Sequence, residues 1–179
     1  NESGYKFTVV GDKRIRFGLG AIRNVGKSAI ESILGARRER QFASFYDLCD
    51  RIDLRLCNKR VFEALIASGA LDNLGGHRAQ YAAVLDSALQ EASLKQQEAA
   101  VGQFSLLGGS EETASVQAPR VLPNVASLTE SERLTKEKEI LGFYISGHPL
   151  EPFRMEVELF ATHSVSELGS WTDQSVALG

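Results

Sequence analysis

The chain has 179 residues, 43% of them hydrophobic, with 20 Lys and Arg against 23 Asp and Glu and a formal net charge of −3. That is enough apolar content for a buried core, and no apolar run approaches the roughly 20 residues of a membrane-spanning helix, so no membrane partner is expected. Cys49 and Cys57 stand eight apart with no CxxC and no nearby His, which excludes a disulfide framework or zinc site and suggests reduced thiols in a cytoplasmic protein. The charge is uneven along the chain. Residues 1–80 hold fourteen Lys and Arg against nine Asp and Glu; residues 81–179 hold six against fourteen. A basic front beside an acidic rear points to nucleic-acid contact confined to the front, although solvated helix faces carry similar charges.

In chain order, 5–9 and 13–17 alternate apolar and polar residues around Gly11-Asp12, which predicts a short β-hairpin. Phe17, Leu19 and Ile22 then lead into Asn24-Val25-Gly26. Asn and Gly tolerate positive φ, so a tight turn is expected there. Lys27 and Ser28 open a helix over about 27–39, whose Ile30, Ile33 and Leu34 form one apolar face. Such a turn leaves backbone N–H groups at a helix N-terminus, where the dipole favours an anion, and Lys27 adds a charge for a phosphate. This arrangement resembles a helix-hairpin-helix motif, with Asn24 in place of the pattern's first glycine. The same residues also fit a plain helical turn with Lys27 in solvent.

Ser44 is the expected N-cap of a helix from Phe45 to Arg51, and Asn58 that of a helix burying Val61, Phe62, Leu65 and Ile66, closed by Gly69. Gly75-Gly76 then precede a long helix over about 77–98, with Arg78 following. This reads as a second hairpin of the same kind, with Gly75, Gly76 and Arg78 as DNA-contacting candidates beside Asn24, Val25, Gly26 and Lys27. A tandem pair can grip phosphates without reading bases. Residues 99–125 turn to Gly, Ser, Glu, Thr, Ala and Pro, the composition of a flexible linker. Inside it lies an apolar island, Gln103-Phe104-Ser105-Leu106-Leu107, which is expected either to pack on another protein or to dock back on the parent domain.

Beyond the linker, Ser127 and Thr129 each precede a Glu by three residues, as capping boxes do. The helix they begin is expected to run to Gly147-His148-Pro149, where Gly caps it and Pro forbids continuation. A short amphipathic helix over 150–160 follows, and Gln174 to Gly179 reads as the first strand of a further domain. Asp47, Asp50 and Asp53 sit among arginines and are read as capping or surface groups. His148 is read as helping to close a helix, not as a base.

Together, IRFGLGAIRNVG, SFYDLCDRIDLRLCNKRVFEALIASGALDNLG, HRAQYAAVL and EKEILGFYISGHPLEPF resemble the C-terminal half of the alpha subunits of bacterial DNA polymerase III, over about residues 14–160. The resemblance implies a mainly α fold. A β-hairpin and tandem helix-hairpin-helix domain would occupy 1–98 and a linker 99–125. A helical connector over 126–172 would lead into a truncated oligonucleotide-binding β-barrel at 173–179. It implies duplex DNA, the sliding clamp and other replicase subunits as partners, with 103–107 as the clamp-binding peptide; Leu107 stands where the family usually has Phe. The family's nucleotidyl-transfer carboxylates and their Mg2+ lie upstream, so neither catalytic residues nor a cofactor is expected here. A different reading is a free-standing helix-hairpin-helix protein of DNA repair or scaffolding. The lack of an initiator Met and the cut final strand tell against it.

Overall fold

A computed structural model describes residues 1–11, 13–101 and 120–161. The fold is mainly helical behind a two-stranded antiparallel ribbon, β1 (Thr8–Val10) and β2 (Arg14–Arg16), paired Thr8 to Arg16, Val9 to Ile15 and Val10 to Arg14. The strands are three residues each, shorter than the alternation suggested. A 3-10 turn over Leu19–Ala21 leads to α1 (Lys27–Glu39), α2 (Phe45–Arg51), α3 (Lys59–Ala67) and α4 (Arg78–Val101). After the gap come α5 (Glu130–Leu141), a second 3-10 turn over Glu151–Phe153 and α6 (Arg154–Phe160).

Side-chain caps set several helix starts where expected. The Ser44 hydroxyl accepts the Asp47 N–H (3.1 Å), the Asn58 side chain accepts the Val61 N–H (3.2 Å), and Thr129 forms a reciprocal capping box with Glu132. α2, α3 and α5 gather on α4 and on one another, α2 and α3 against α4 and α5 against α3. α4 presents Tyr81, Leu85, Ala88 and Ala92, all buried, as its inward stripe. The Tyr81 ring stacks on Phe45 at 4.9 Å between centroids, and Phe62 meets Phe45 edge-on at 6.2 Å. Cys49 and Cys57 are free and buried in this core. Loss of hydration pushes their thiols up to about 12 and about 11, so both are neutral and unreactive at physiological pH.

Two expectations about chain direction are corrected. α5 does not run on to Gly147; it ends at Leu141, because Gly142 turns left-handed (φ +86°) and donates to Lys138 O at 2.9 Å. Glu137, 1% exposed, then draws the chain back by accepting the N–H groups of Ile145 (3.1 Å) and Ser146 (3.0 Å). His148 closes a later turn, its Nδ1 accepting the Leu150 N–H at 3.3 Å. The end of the expected linker is also docked, not free. Arg120 reaches Asp50 at 3.1 Å and Glu91 at 3.3 Å, its guanidinium lies over the Tyr46 ring, and Leu122 packs on the core. The barrel strand expected over 174–179 lies outside the described residues.

Candidate nucleic-acid interface

The first hairpin has the backbone its sequence implies at one position and not at another. Asn24 is left-handed, with φ +66°, the only non-glycine among the described residues with positive φ. Gly26 is not. Its φ of −72° and ψ of 161° are ordinary N-cap values, and a Cβ added there would meet nothing within 4 Å. Its value lies in what it omits: no side chain caps α1. Among the described residues, the N–H groups of Gly26, Lys27, Ser28 and Ala29 carry no hydrogen bond. Val25 faces inward, 7% exposed, with its N–H given to Ile22 O at 3.3 Å, so it anchors the turn and offers nothing outward. Lys27 stands in solvent beside the free amides, its nearest acid Glu31 at 3.8 Å. An exposed pair at that distance does not hold the lysine.

The hairpin is braced by a contact the sequence did not announce. Arg23 donates its backbone N–H to Ile140 O at 3.1 Å and its guanidinium Nη1 to Glu139 O at 3.0 Å, using the open carbonyls at the end of α5. The turn is therefore held to α5 while the amides that follow it stay without a partner among the described residues.

In the second hairpin the N–H groups of Gly76 and His77 and the side chain of Arg78, offered to DNA by the sequence, are bonded within the protein. The Gly76 N–H is taken by the Tyr81 hydroxyl (2.7 Å) and the His77 N–H by Gln80 Oε1 (3.0 Å). A Cβ on Gly76 would come within 2.3 Å of Leu122 Cδ1, so glycine is needed for the returning chain and not for a phosphate. Gln80 Nε2 fastens that chain by donating to Pro123 O at 2.9 Å. Gly75 is left-handed, at φ +85°.

Arg78 is 7% exposed and fully engaged. Its Nη2 binds Asp72 Oδ2 at 2.8 Å, while Nη1 donates to Ala67 O at 3.2 Å and lies 2.8 Å from Glu137 Oε1. Burial alone would lower the guanidinium's affinity for its proton, but the hydrogen bonds to Asp72 and Glu137 outweigh it and raise the pKa. Burial likewise pushes Glu137 up, and the donors from Ser146, Arg78 and Ile145 prevail to hold it below its ordinary range. Gly69 at φ +77° leaves the space Arg78 needs, since a Cβ there would lie 2.2 Å from Nη2. Arg78 ties α3, the second hairpin and α5 together. The one signal for its partner is that Glu137 interrupts the apolar stripe Leu134, Leu141 of α5.

Asp47, Asp50 and Asp53 do not converge. Asp47 binds Arg40 and Arg51, Asp50 binds Lys95 and Arg120, and Asp53 binds Arg55. Among the described residues no group of His, Cys, Asp and Glu is arranged to hold a metal, and no helix is long and apolar enough to cross a membrane. Gln103, Phe104, Ser105, Leu106 and Leu107 lie outside the described residues.

Residues 1–81 match the helix-hairpin-helix motif family, a stretch ending just inside α4. The chain is 39% identical to the DNA polymerase III subunit alpha of Pseudomonas aeruginosa, over 100% of this chain and 17% of that one. It is 38% identical to the same subunit of Vibrio cholerae, over 99% of this chain and 15% of that one. With the subunit of Mycobacterium tuberculosis it shares 39% identity over 84% of this chain and 13% of the relative. The chain thus spans less than a fifth of the length of the curated relatives it matches.

Proposed function

From the chain's homology, over nearly its whole length, to a segment of the alpha subunits of bacterial DNA polymerase III, we propose that it is a non-catalytic section of a replicative polymerase that holds duplex DNA by sequence-independent phosphate contacts. The observation that carries this reading is the uncapped N-terminus of α1. Four backbone donors, the positive end of a thirteen-residue helix and an exposed Lys27 are offered together behind the left-handed Asn24. Backbone amides meet phosphate oxygens and carry no sequence information.

The second hairpin plays a structural part in this proposal. With the N–H groups of Gly76 and His77 and the Arg78 side chain already bonded, it holds α5 against the body instead of gripping DNA. The island 103–107 is proposed to bind the sliding clamp. Gln103 would hydrogen-bond at the rim of a pocket that Leu106 and Leu107 fill. Nucleotidyl transfer, with its Mg2+, would belong to the rest of a cytoplasmic polymerase, which other replicase subunits join.

Replacing Gly26 by Ser tests the phosphate reading. A serine at an N-cap position accepts the N–H of the second or third helical residue and stabilises a helix by a few tenths of a kcal/mol relative to glycine. The variant should melt no lower than the parent yet bind duplex DNA more weakly on every sequence, because a side chain now occupies a donor meant for phosphate. Fluorescence anisotropy with duplex and single-stranded probes at two salt concentrations gives the comparison. Undiminished duplex binding by Gly26→Ser would remove the amides from the account.

A further inference from the structure

A groove of about 520 Å3 opens where α3, α4 and α5 meet, and Asn24 of the first hairpin stands at its edge. Lys59 and Arg60, in the first turn of α3, line it together with Lys136 of α5. Arg60 and Lys136 are exposed and, among the described residues, have neither ion pair nor hydrogen bond. Lys59 has only a half-exposed contact with Asp86 at 2.6 Å. Arg78 also lines the groove, but Asp72 and Glu137 already answer its charge. Much of the lining is small: Ala64, Ala67, Ala79 and Ala82 leave room for close approach and supply no ring on which a base could stack. Glu63 and Glu139 follow Arg60 and Lys136 by three residues on the same helices. The charge is therefore a set of separate points, suited to individual phosphates and not to a buried polyanion.

We propose that this groove is a second backbone-binding site, in which Arg60 and Lys136 contact phosphates of the same duplex that the first hairpin holds. The inference rests on the reading of that hairpin as duplex-binding. Two features favour this occupant: continuity with the hairpin at Asn24, and unpaired cations from two helices lining one concavity. The bonds from Arg23 to Glu139 and Ile140 hold Lys136 at a set offset from the free amides of α1, so one rigid strand can meet both.

The test is the salt dependence of duplex binding by the whole 179-residue chain, comparing the parent, the pair Arg60→Ala/Lys136→Ala, Gly26→Ser, and Arg38→Ala. Arg38 is an exposed, unpaired cation near the far end of α1 and controls for net charge. Each lost phosphate contact lowers the slope of log affinity against log salt by about 0.9. The double variant should therefore lose about 1.8 in slope, so that a fourfold rise in salt weakens the parent about twelvefold more than the variant. Arg38→Ala should keep the parental slope, and all variants should keep the parental melting temperature. A parental slope in the double variant, with Gly26→Ser weakened, overturns the groove alone. An equal loss in Arg38→Ala overturns it as diffuse charge. A parent that does not bind duplex at all overturns the hairpin reading and the groove with it.

Discussion

Replacing Arg78 with Ala is expected to destabilise the fold by about 3–5 kcal/mol, the cost of breaking a buried ion pair from one side. For a chain of this size that corresponds to a fall in melting temperature on the order of 10 °C. Glu137, 1% exposed, would stay in the core without its guanidinium partner, held by the donors of Ile145 and Ser146, and Ala67 O would lose its donor. Arg78→Lys should not rescue it, because a single ammonium cannot reach Asp72, Ala67 and Glu137 at once. The deficit should also depend on pH. In the parent, Glu137 is held below its unfolded value, so its contribution is full above about pH 4.3 and is lost as pH falls through the folded pKa. In the variant one of the donors that hold Glu137 down is gone while burial and the Ser146 and Ile145 donors remain, so less of that contribution is present above the unfolded value. The gap between the two proteins should therefore widen from acid to neutral pH in denaturant melts. A gap that is small and flat with pH would show Arg78 to be peripheral.

The second large effect concerns Gln103–Leu107. A peptide that fills a preformed pocket with two leucines and one polar anchor should bind with roughly micromolar affinity, about −8 kcal/mol. Each leucine contributes on the order of 1.5–3 kcal/mol when buried. Leu106→Ala with Leu107→Ala should remove about 3–6 kcal/mol and abolish detectable binding to the bacterial sliding clamp in calorimetry, leaving melting temperature and duplex binding as they were. Leu107→Phe should tighten it by burying more area. No heat from the parent chain would leave the island without a clamp role. A lowered melting temperature in the alanine pair would place it in the core.

Much of the fold was legible because it is decided locally. Ser44, Asn58 and Thr129 cap their helices through bonds spanning three residues, and Asn24 takes the left-handed turn through its own tolerance of positive φ. What was not legible depends on partners far along the chain. Arg78 reads as a free basic residue after a glycine pair until Glu137 is packed beside it. Gly76 reads as a phosphate-binding glycine until Leu122 returns to cover it. The same carboxylate of Glu137 ends α5 earlier than Gly147, by offering acceptors that the helix itself does not supply. Gly26 shows a subtler limit, since composition does not distinguish a glycine kept for positive φ from one kept to leave a helix end uncapped.

The central claim is that duplex DNA is held on the amides that open α1, and amide chemical shifts report on it residue by residue. Titrating the isotopically labelled chain with a short duplex should move the N–H signals of Gly26, Lys27, Ser28 and Ala29 progressively and alike for unrelated duplex sequences. Those of Gly76 and His77, already bonded to Tyr81 and Gln80, should stay in place. Stationary signals across Gly26–Ala29 in the presence of bound duplex, or shifts centred on Gly76 and His77 instead, would contradict it.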